Sequence, residues 1–329
     1  MKKNLVNCAV VEAADGIYAS EADAFLAARD VRVQARQIAA IRKATEGVAD
    51  ELVAVRAARN SFAPLPDGVV AEMVSPTMRL YRPAVSPYGL PLLIYLHGGG
   101  WVIGSIASCS AYCGALAAKG IAVLAVDYPL APEHPFPCAL DAVCAAYREA
   151  VRNPERYGCD PECVSIGGDS SGGNLAVAAA FVLKRDGLSP HSLVLHYPVT
   201  EARADGSESW RNFATGCGMD ASFMDVCNAA YLDGRDFADP LISPMYATDG
   251  QLRSLPPVHI LGADRDILRD QGIRFAERLK SCGCHVRYEL LHGSTHLFVT
   301  VPGQPSAFRR AVDFAAEAVN GCRRAADVL

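Results

Sequence analysis

Gly168-Asp169-Ser170-Ser171-Gly172-Gly173 is the stretch on which the reading of this chain turns, because of what flanks it. Cys163-Val164-Ser165-Ile166-Gly167 enters it as a short apolar run with the character of a buried strand. Asn174-Leu175-Ala176-Val177-Ala178-Ala179-Ala180-Phe181-Val182-Leu183 leaves it with the composition of a buried helix. Gly-x-Ser-x-Gly between strand and helix makes a sharp turn that leaves no room for side chains at the flanking glycines and holds the serine at its tip. The helix N-terminus beneath favours negative charge next to Ser170. The same six residues could be an ordinary glycine-rich loop, and three further segments weigh against that.

The first is His97-Gly98-Gly99-Gly100-Trp101, which follows the apolar run Pro91-Leu92-Leu93-Ile94-Tyr95-Leu96. Consecutive glycines let backbone N–H groups approach a substrate and converge on one point. Acyl transfer needs such donors, since negative charge grows on the carbonyl oxygen. Gly98 and Gly99 are the expected donors, with Ser171 supplying a third N–H from the turn. Trp101 is the expected pocket wall, and core packing is its alternative role. The second is Gly262-Ala263-Asp264-Arg265-Asp266-Ile267-Leu268-Arg269-Asp270, after the strand-like Pro257-Val258-His259-Ile260-Leu261. An acid just past a strand can hold the tautomer of a histidine. Spacing leaves Asp264, Asp266 and Asp270 in competition, with Asp270 better suited to start the following helix. The third is His292-Gly293-Ser294-Thr295-His296-Leu297-Phe298, after Val286-Arg287-Tyr288-Glu289-Leu290-Leu291. It completes the chain order serine, acid, histidine, with His292 at the strand end and His296 deeper in the loop.

Taken with Asp127-Tyr128-Pro129-Leu130-Ala131-Pro132-Glu133-His134-Pro135-Phe136-Pro137 and Asp239-Pro240-Leu241-Ile242-Ser243-Pro244, these segments resemble the hormone-sensitive-lipase-like group of α/β-hydrolases, in its bacterial esterase and acetyl-esterase branch. They arise in that group's order across residues 75 to 300. The resemblance implies an α/β-hydrolase fold, a mainly parallel central sheet flanked by helices under a helical cap. It implies Ser170 as nucleophile, His296 as base and Asp266 as the acid, the last because it falls on the first aspartate of an Asp-x-x-x-Asp pattern. It also implies small esters with short acyl chains. Three positions depart from the pattern. Pro129 stands where the group usually has arginine, so an ion pair or hydrogen bond made there is missing from this position. Ser171 replaces an alanine, and Leu297 a glycine.

The chemistry implied is hydrolysis through an acyl-enzyme, with His296 taking the Ser170 proton and returning it to the leaving alcohol. It requires no metal and no organic cofactor. An amidase or lactonase could use the same three residues, and a ligand-binding member of the fold could have lost the chemistry. A trypsin-type protease is excluded, because it needs Gly-Asp-Ser-Gly-Gly, an upstream histidine and acid, and an all-β chain.

Composition fits an enzyme with a large core: 329 residues, 51% hydrophobic and 20% charged. A net charge of −5 without a basic run argues against a nucleic-acid partner. No segment offers the roughly 18 apolar residues of a membrane helix. The expected partner is a small ester, and a homodimer is compatible with that. Met1-Lys2-Lys3-Asn4 and the broken apolar stretch Leu5 to Val11 are too short for a signal peptide, so a cytoplasmic location is expected. The 12 cysteines are then expected as reduced thiols filling the core, without zinc-site spacing at Cys159/Cys163 or Cys282/Cys284.

The expected organisation is a split cap on one core. Residues 1–65 are helical in composition and form its first part, 201–239 its second; 66–200 and 240–329 form the core. Trp210, Phe213, Met219, Phe223, Met224 and Tyr231 either line a pocket from the cap or pack the cap down, and packing is the expectation for most of them.

Overall fold

Alternation of apolar runs with helical stretches becomes one sheet covered on both faces. The computed structural model describes residues 8–11, 16–86 and 88–322, so the Met1–Asn7 part of the leader question lies outside the described residues. In chain order the elements are β1 (Cys8–Val11), α1 (Ile17–Ala28), α2 (Val31–Thr45), α3 (Asp50–Ala57), β2 (Val69–Ser75), β3 (Met78–Pro83), β4 (Leu90–Leu96), α4 (Ser110–Ala117), β5 (Ala122–Val126), α5 (Cys138–Arg152) and α6 (Pro154–Tyr157). Then come β6 (Cys159–Asp169), α7 (Ser171–Arg185), β7 (Leu193–His196), α8 (Glu208–Asn212), α9 (Ala221–Leu232), α10 (Asp249–Arg253), β8 (Val258–Arg265), α11 (Arg269–Ser281), β9 (Val286–Thr295) and α12 (Pro305–Val319).

The nine strands run β1-β9-β8-β7-β6-β4-β5-β3-β2. All neighbours from β1 to β5 are parallel, and β3 and β2 close one edge antiparallel. Every residue of β4 and β5 is buried, which is why these strands read as unbroken apolar runs rather than alternating ones. β2 is an edge strand with mostly part-exposed side chains, and its mixed composition gave no strand signal. The N-terminal region is not wholly helical either: β1 pairs in parallel with β9, Cys8 opposite Tyr288.

Register places the chemistry. Leu96 lies beside Gly168, and Asp169 beside His196. The loops after β4, β6, β8 and β9 therefore emerge at one end of the sheet, the carboxyl end where ligands bind in open α/β sheets.

One cysteine expectation is corrected. Cys163 and Cys322 form a disulfide with Cα atoms 5.8 Å apart, within normal reach for such a bond, so these two are not reduced thiols. Nine other cysteines of the described residues are free, six of them buried in the core: Cys109, Cys113, Cys144, Cys159, Cys227 and Cys282.

His196 ends β7 fully buried, its Nε2 2.5 Å from the Tyr112 hydroxyl. Burial pulls its pKa down from 6.5 to about 3, and burial likewise takes His259 down to about 4. Both stay neutral in the fold while the unfolded chain takes up protons near 6.5. Their contribution is complete above that pH and is lost as pH falls towards 4 and then 3, at up to about 1.4 kcal/mol per pH unit for each. His196→Gln should flatten the fall of the thermal midpoint between pH 7 and 4.5. An unaltered slope would contradict this.

Candidate active site

Ser170 sits between the last residue of β6 and the first of α7, with φ 56° and ψ −117°. A non-glycine residue held there stores roughly 1–3 kcal/mol of strain. Hydrogen bonds on both sides hold it: Ser170 N–H donates to the His196 carbonyl at 2.9 Å, and its own carbonyl accepts from Asn174 and Val199 N–H at 3.2 Å each. The turn needs its glycines. A Cβ on Gly172 would stand 2.0 Å from the Leu96 carbonyl oxygen, and one on Gly168 2.5 Å from the same oxygen. Asn174 adds a tie from α7 to the Val199 and Ile242 carbonyls, at 3.0 and 2.9 Å.

The candidate acid and base come from neighbouring strand ends. His296 Nδ1 lies 2.6 Å from Asp266 Oδ2, and both residues are buried. The other Asp266 oxygen accepts the Leu268 N–H at 3.0 Å. Gln304 fixes the loop from below, bonding Thr295 N–H, Thr295 carbonyl and His296 carbonyl. Tyr197, with its ring centroid 4.2 Å from that of His296, packs against the imidazole. The competing residues have other partners. Asp264 pairs with His292 at 3.0 Å and accepts the Gly293 N–H, while Asp270 accepts Ser209 N–H at 2.8 Å and Arg269 Nε at 2.9 Å.

Ser170 and His296 line one cavity of about 1050 Å³ that also receives Gly98, Gly99, Gly100 and Asp169. Two sequence expectations fail here. Gly98 cannot be a free donor, because its N–H is bonded to Asp169 Oδ1 at 2.9 Å, an oxygen that also accepts the Tyr95 hydroxyl. Burial raises the Asp169 pKa, opposed by these bonds. Among the described residues, the N–H groups of Gly99, Gly100 and Ser171 have no acceptor. Gly100 has φ 63°, and a Cβ there would meet Cys227 Sγ at 2.6 Å. Trp101 is no pocket wall. It is fully buried and stacks on Tyr231, with centroids 4.3 Å apart and planes 2° from parallel. Of the six cap residues considered, Met219 and Phe223 reach the cavity.

The departures also find their places. Leu297 lines the cavity at φ 78°, keeping a backbone conformation that suits glycine and adding a side chain to the site. With Pro129 unable to pair, Arg56 of α3 reaches in from the N-terminal helices. Its guanidinium donates to the Val102 and Ala131 carbonyls and to both Glu133 oxygens, each at 2.8 Å. That ties the turn after the glycines, where Val102 and Ile103 N–H both bond the Gly99 carbonyl. Arg56→Gln is expected to lower kcat by about tenfold or more through misplaced donors. An unchanged kcat in folded protein would separate this clamp from the reaction. Sequence reasoning missed Arg56, Tyr197 and Gln304, which have no motif of their own, and counted Gly98 rather than Gly100 among the glycines with a free N–H.

A family model for the alpha/beta hydrolase fold matches residues 93–300. Carboxylesterase NlhH of Mycobacterium tuberculosis is 34% identical over 244 residues, covering 71% of this chain and 76% of its own. Ethyl acetate hydrolase of Pseudomonas putida is 35% identical, covering 68% of this chain and 71% of its own. The solved structure of an ester-hydrolase from the Lake Arreo metagenome, complexed with a derivative of a bipyridine phosphonate, superposes with a TM-score of 0.71 at 31% identity, covering 88% of this chain and 99% of that one. Matches of this extent, over the segments that carry the strand–turn–helix elbow at Ser170, the glycine loop and the aspartate and histidine loops, leave one assignment: the chain belongs to the hormone-sensitive-lipase-like family of α/β-hydrolases.

Proposed function

We propose that the protein hydrolyses small carboxylic esters with short acyl chains, through a Ser170–His296–Asp266 triad and an acyl-enzyme. The enzyme is a carboxylesterase by family; the residues and the acyl preference are the substance of the proposal. His296 takes the Ser170 proton as the hydroxyl attacks the ester carbonyl. Asp266 keeps the Nδ1–H tautomer and balances the imidazolium that forms. The oxyanion is held by the N–H groups of Gly99, Gly100 and Ser171, with Gly98 serving instead to anchor the loop on Asp169. His296 then protonates the leaving alcohol and activates the water that frees the acid.

The observation that carries this reading is the 2.6 Å His296–Asp266 contact buried at the wall of a cavity that Ser170 shares. The cap belongs to the same proposal. Gln34 of α2 bonds Gly218 carbonyl and Asp220 N–H, which supports α2, α3 and residues 201–239 acting together as the roof of the site. Short-acyl preference is supported by the named activity of the Pseudomonas relative. A cytoplasmic location is supported by the many free cysteines. No helix among the described residues is long and apolar enough to cross a membrane.

A panel of p-nitrophenyl esters from acetyl to dodecanoyl, with acetylated sugars alongside, tests the preference. Acetyl and butyryl esters should give the highest kcat/KM. A maximum at the longest chains would overturn it.

A further inference from the structure

Arg59 is the unexplained charge of the cavity. It lies in the turn that ends α3, where its N–H bonds the Arg56 carbonyl, and it lines the cavity that Ser170 and His296 share. Among the described residues, no carboxylate, carbonyl or hydroxyl accepts from its guanidinium. Burial works against its charge, and Arg29, also on the cavity wall, adds repulsion; Asp169 is the acid whose field favours it. Neither acid of the lining is hydrogen-bonded to Arg59. Asp169 accepts from Tyr95 and Gly98, and Asp30 pairs with Arg32 at 2.9 Å. Arg36 at the exposed side of α2 lines the cavity too, so the site carries a positive surplus.

An arginine stays protonated at any working pH. Arg59 is part-exposed at the wall of an open cavity, and a cation placed there with no hydrogen-bonded acid is available to an anionic group on whatever the cavity binds. We propose that Arg59 binds a carboxylate carried by the substrate, so that the preferred esters are half-esters of small dicarboxylic acids or acylated hydroxy acids. The planar guanidinium matches a carboxylate through two parallel N–H bonds. One guanidinium balances one negative charge, which suits a carboxylate better than a phosphate dianion. The apolar remainder of the wall, with Val33, Phe62, Ile103, Phe223 and Phe308, takes the rest of the ester. This rests on the reading of Ser170 as nucleophile, and Arg59 is a specificity residue for that reaction.

The test uses isosteric pairs in which a terminal methyl becomes a carboxylate. Ethyl butyrate is compared with monoethyl succinate for a charge on the acyl half. Propyl acetate is compared with 3-acetoxypropanoate for a charge on the alcohol half. The readout is the ratio of kcat/KM, charged over neutral. In one of the two pairs the unaltered protein should favour the charged ester, and Arg59→Gln should lower that ratio by about tenfold to a hundredfold, the usual worth of hydrogen bonds to a charged group. Arg59→Lys should restore part of it. A ratio at or below one in both pairs, or one that Arg59→Gln leaves in place, overturns the proposal. An equal fall on both members of a pair would mean that Arg59 acts through Asp169, and also overturns it. Neutral esters hydrolysed only when Ser170 is present keep the nucleophile reading intact whatever these ratios give.

Discussion

Ser170→Ala is expected to lower kcat/KM on a short-acyl ester by at least roughly a thousandfold, with the fold and the thermal midpoint kept. Alanine meets the same backbone strain as serine at φ 56°, and the anchors at His196, Asn174 and Val199 are backbone bonds that the change leaves in place. What disappears is one hydroxyl, and with it the acyl-enzyme. Residual hydrolysis would come from the oxyanion donors acting on water, which is why the loss is large but finite. Activity within tenfold of the unaltered protein would remove Ser170 from the reaction.

Asp266→Asn should cost nearly as much, on the order of a thousandfold to ten thousandfold in kcat, because an amide in place of the carboxylate favours the wrong imidazole tautomer and leaves the forming imidazolium without its counter-charge. The loss belongs in kcat more than in KM, since Asp266 is buried behind His296 and does not line the cavity. Asp264→Asn and Asp270→Asn serve as neighbours of the same type on either side of the loop that carries Asp266. Asp264 serves His292 and the Gly293 N–H, and Asp270 serves α8 and Arg269. Each should cost less than about tenfold, a ranking set by their lack of contact with His296. If Asp264→Asn cost more than Asp266→Asn, the acid would have to be reassigned.

The sheet was legible chiefly because β4, β5 and β7 are buried along their whole length and read as apolar runs, with shorter apolar stretches marking β6, β8 and β9. β1 and β2 were not, since edge strands have no such constraint; β1 in addition pairs with residues far along the chain, Cys8 with Tyr288. The elbow was legible for a local reason: strand, glycine, serine, glycine and helix are contiguous. The glycine loop was legible as backbone facing the cavity but not in which of its N–H groups stay free. Which N–H is free depends on Asp169, which is brought to Gly98 by the β4–β6 pairing. Trp101 followed the same motif, yet its φ of 60° turns it into a stack with Tyr231 of α9. The three aspartates could be separated only by their partners in space. Arg56 and Arg59 lie in a helical stretch whose spacing gives no sign that one would clamp the loop after the glycines and the other enter the cavity. Cys163 and Cys322, 159 positions apart, had no local signature.

The most direct measurement is covalent. Incubating the folded protein with a small alkyl fluorophosphonate should add one mass equivalent per chain, abolish ester hydrolysis in step with labelling, and map by peptide mass to the oxygen of Ser170. The tetrahedral phosphorus then occupies the place of the attacked carbonyl carbon, with its oxygen among the Gly99, Gly100 and Ser171 N–H groups. Protein that keeps its activity and folds normally while Ser170 stays unlabelled, or that is inactivated by a label on another residue, would contradict the account.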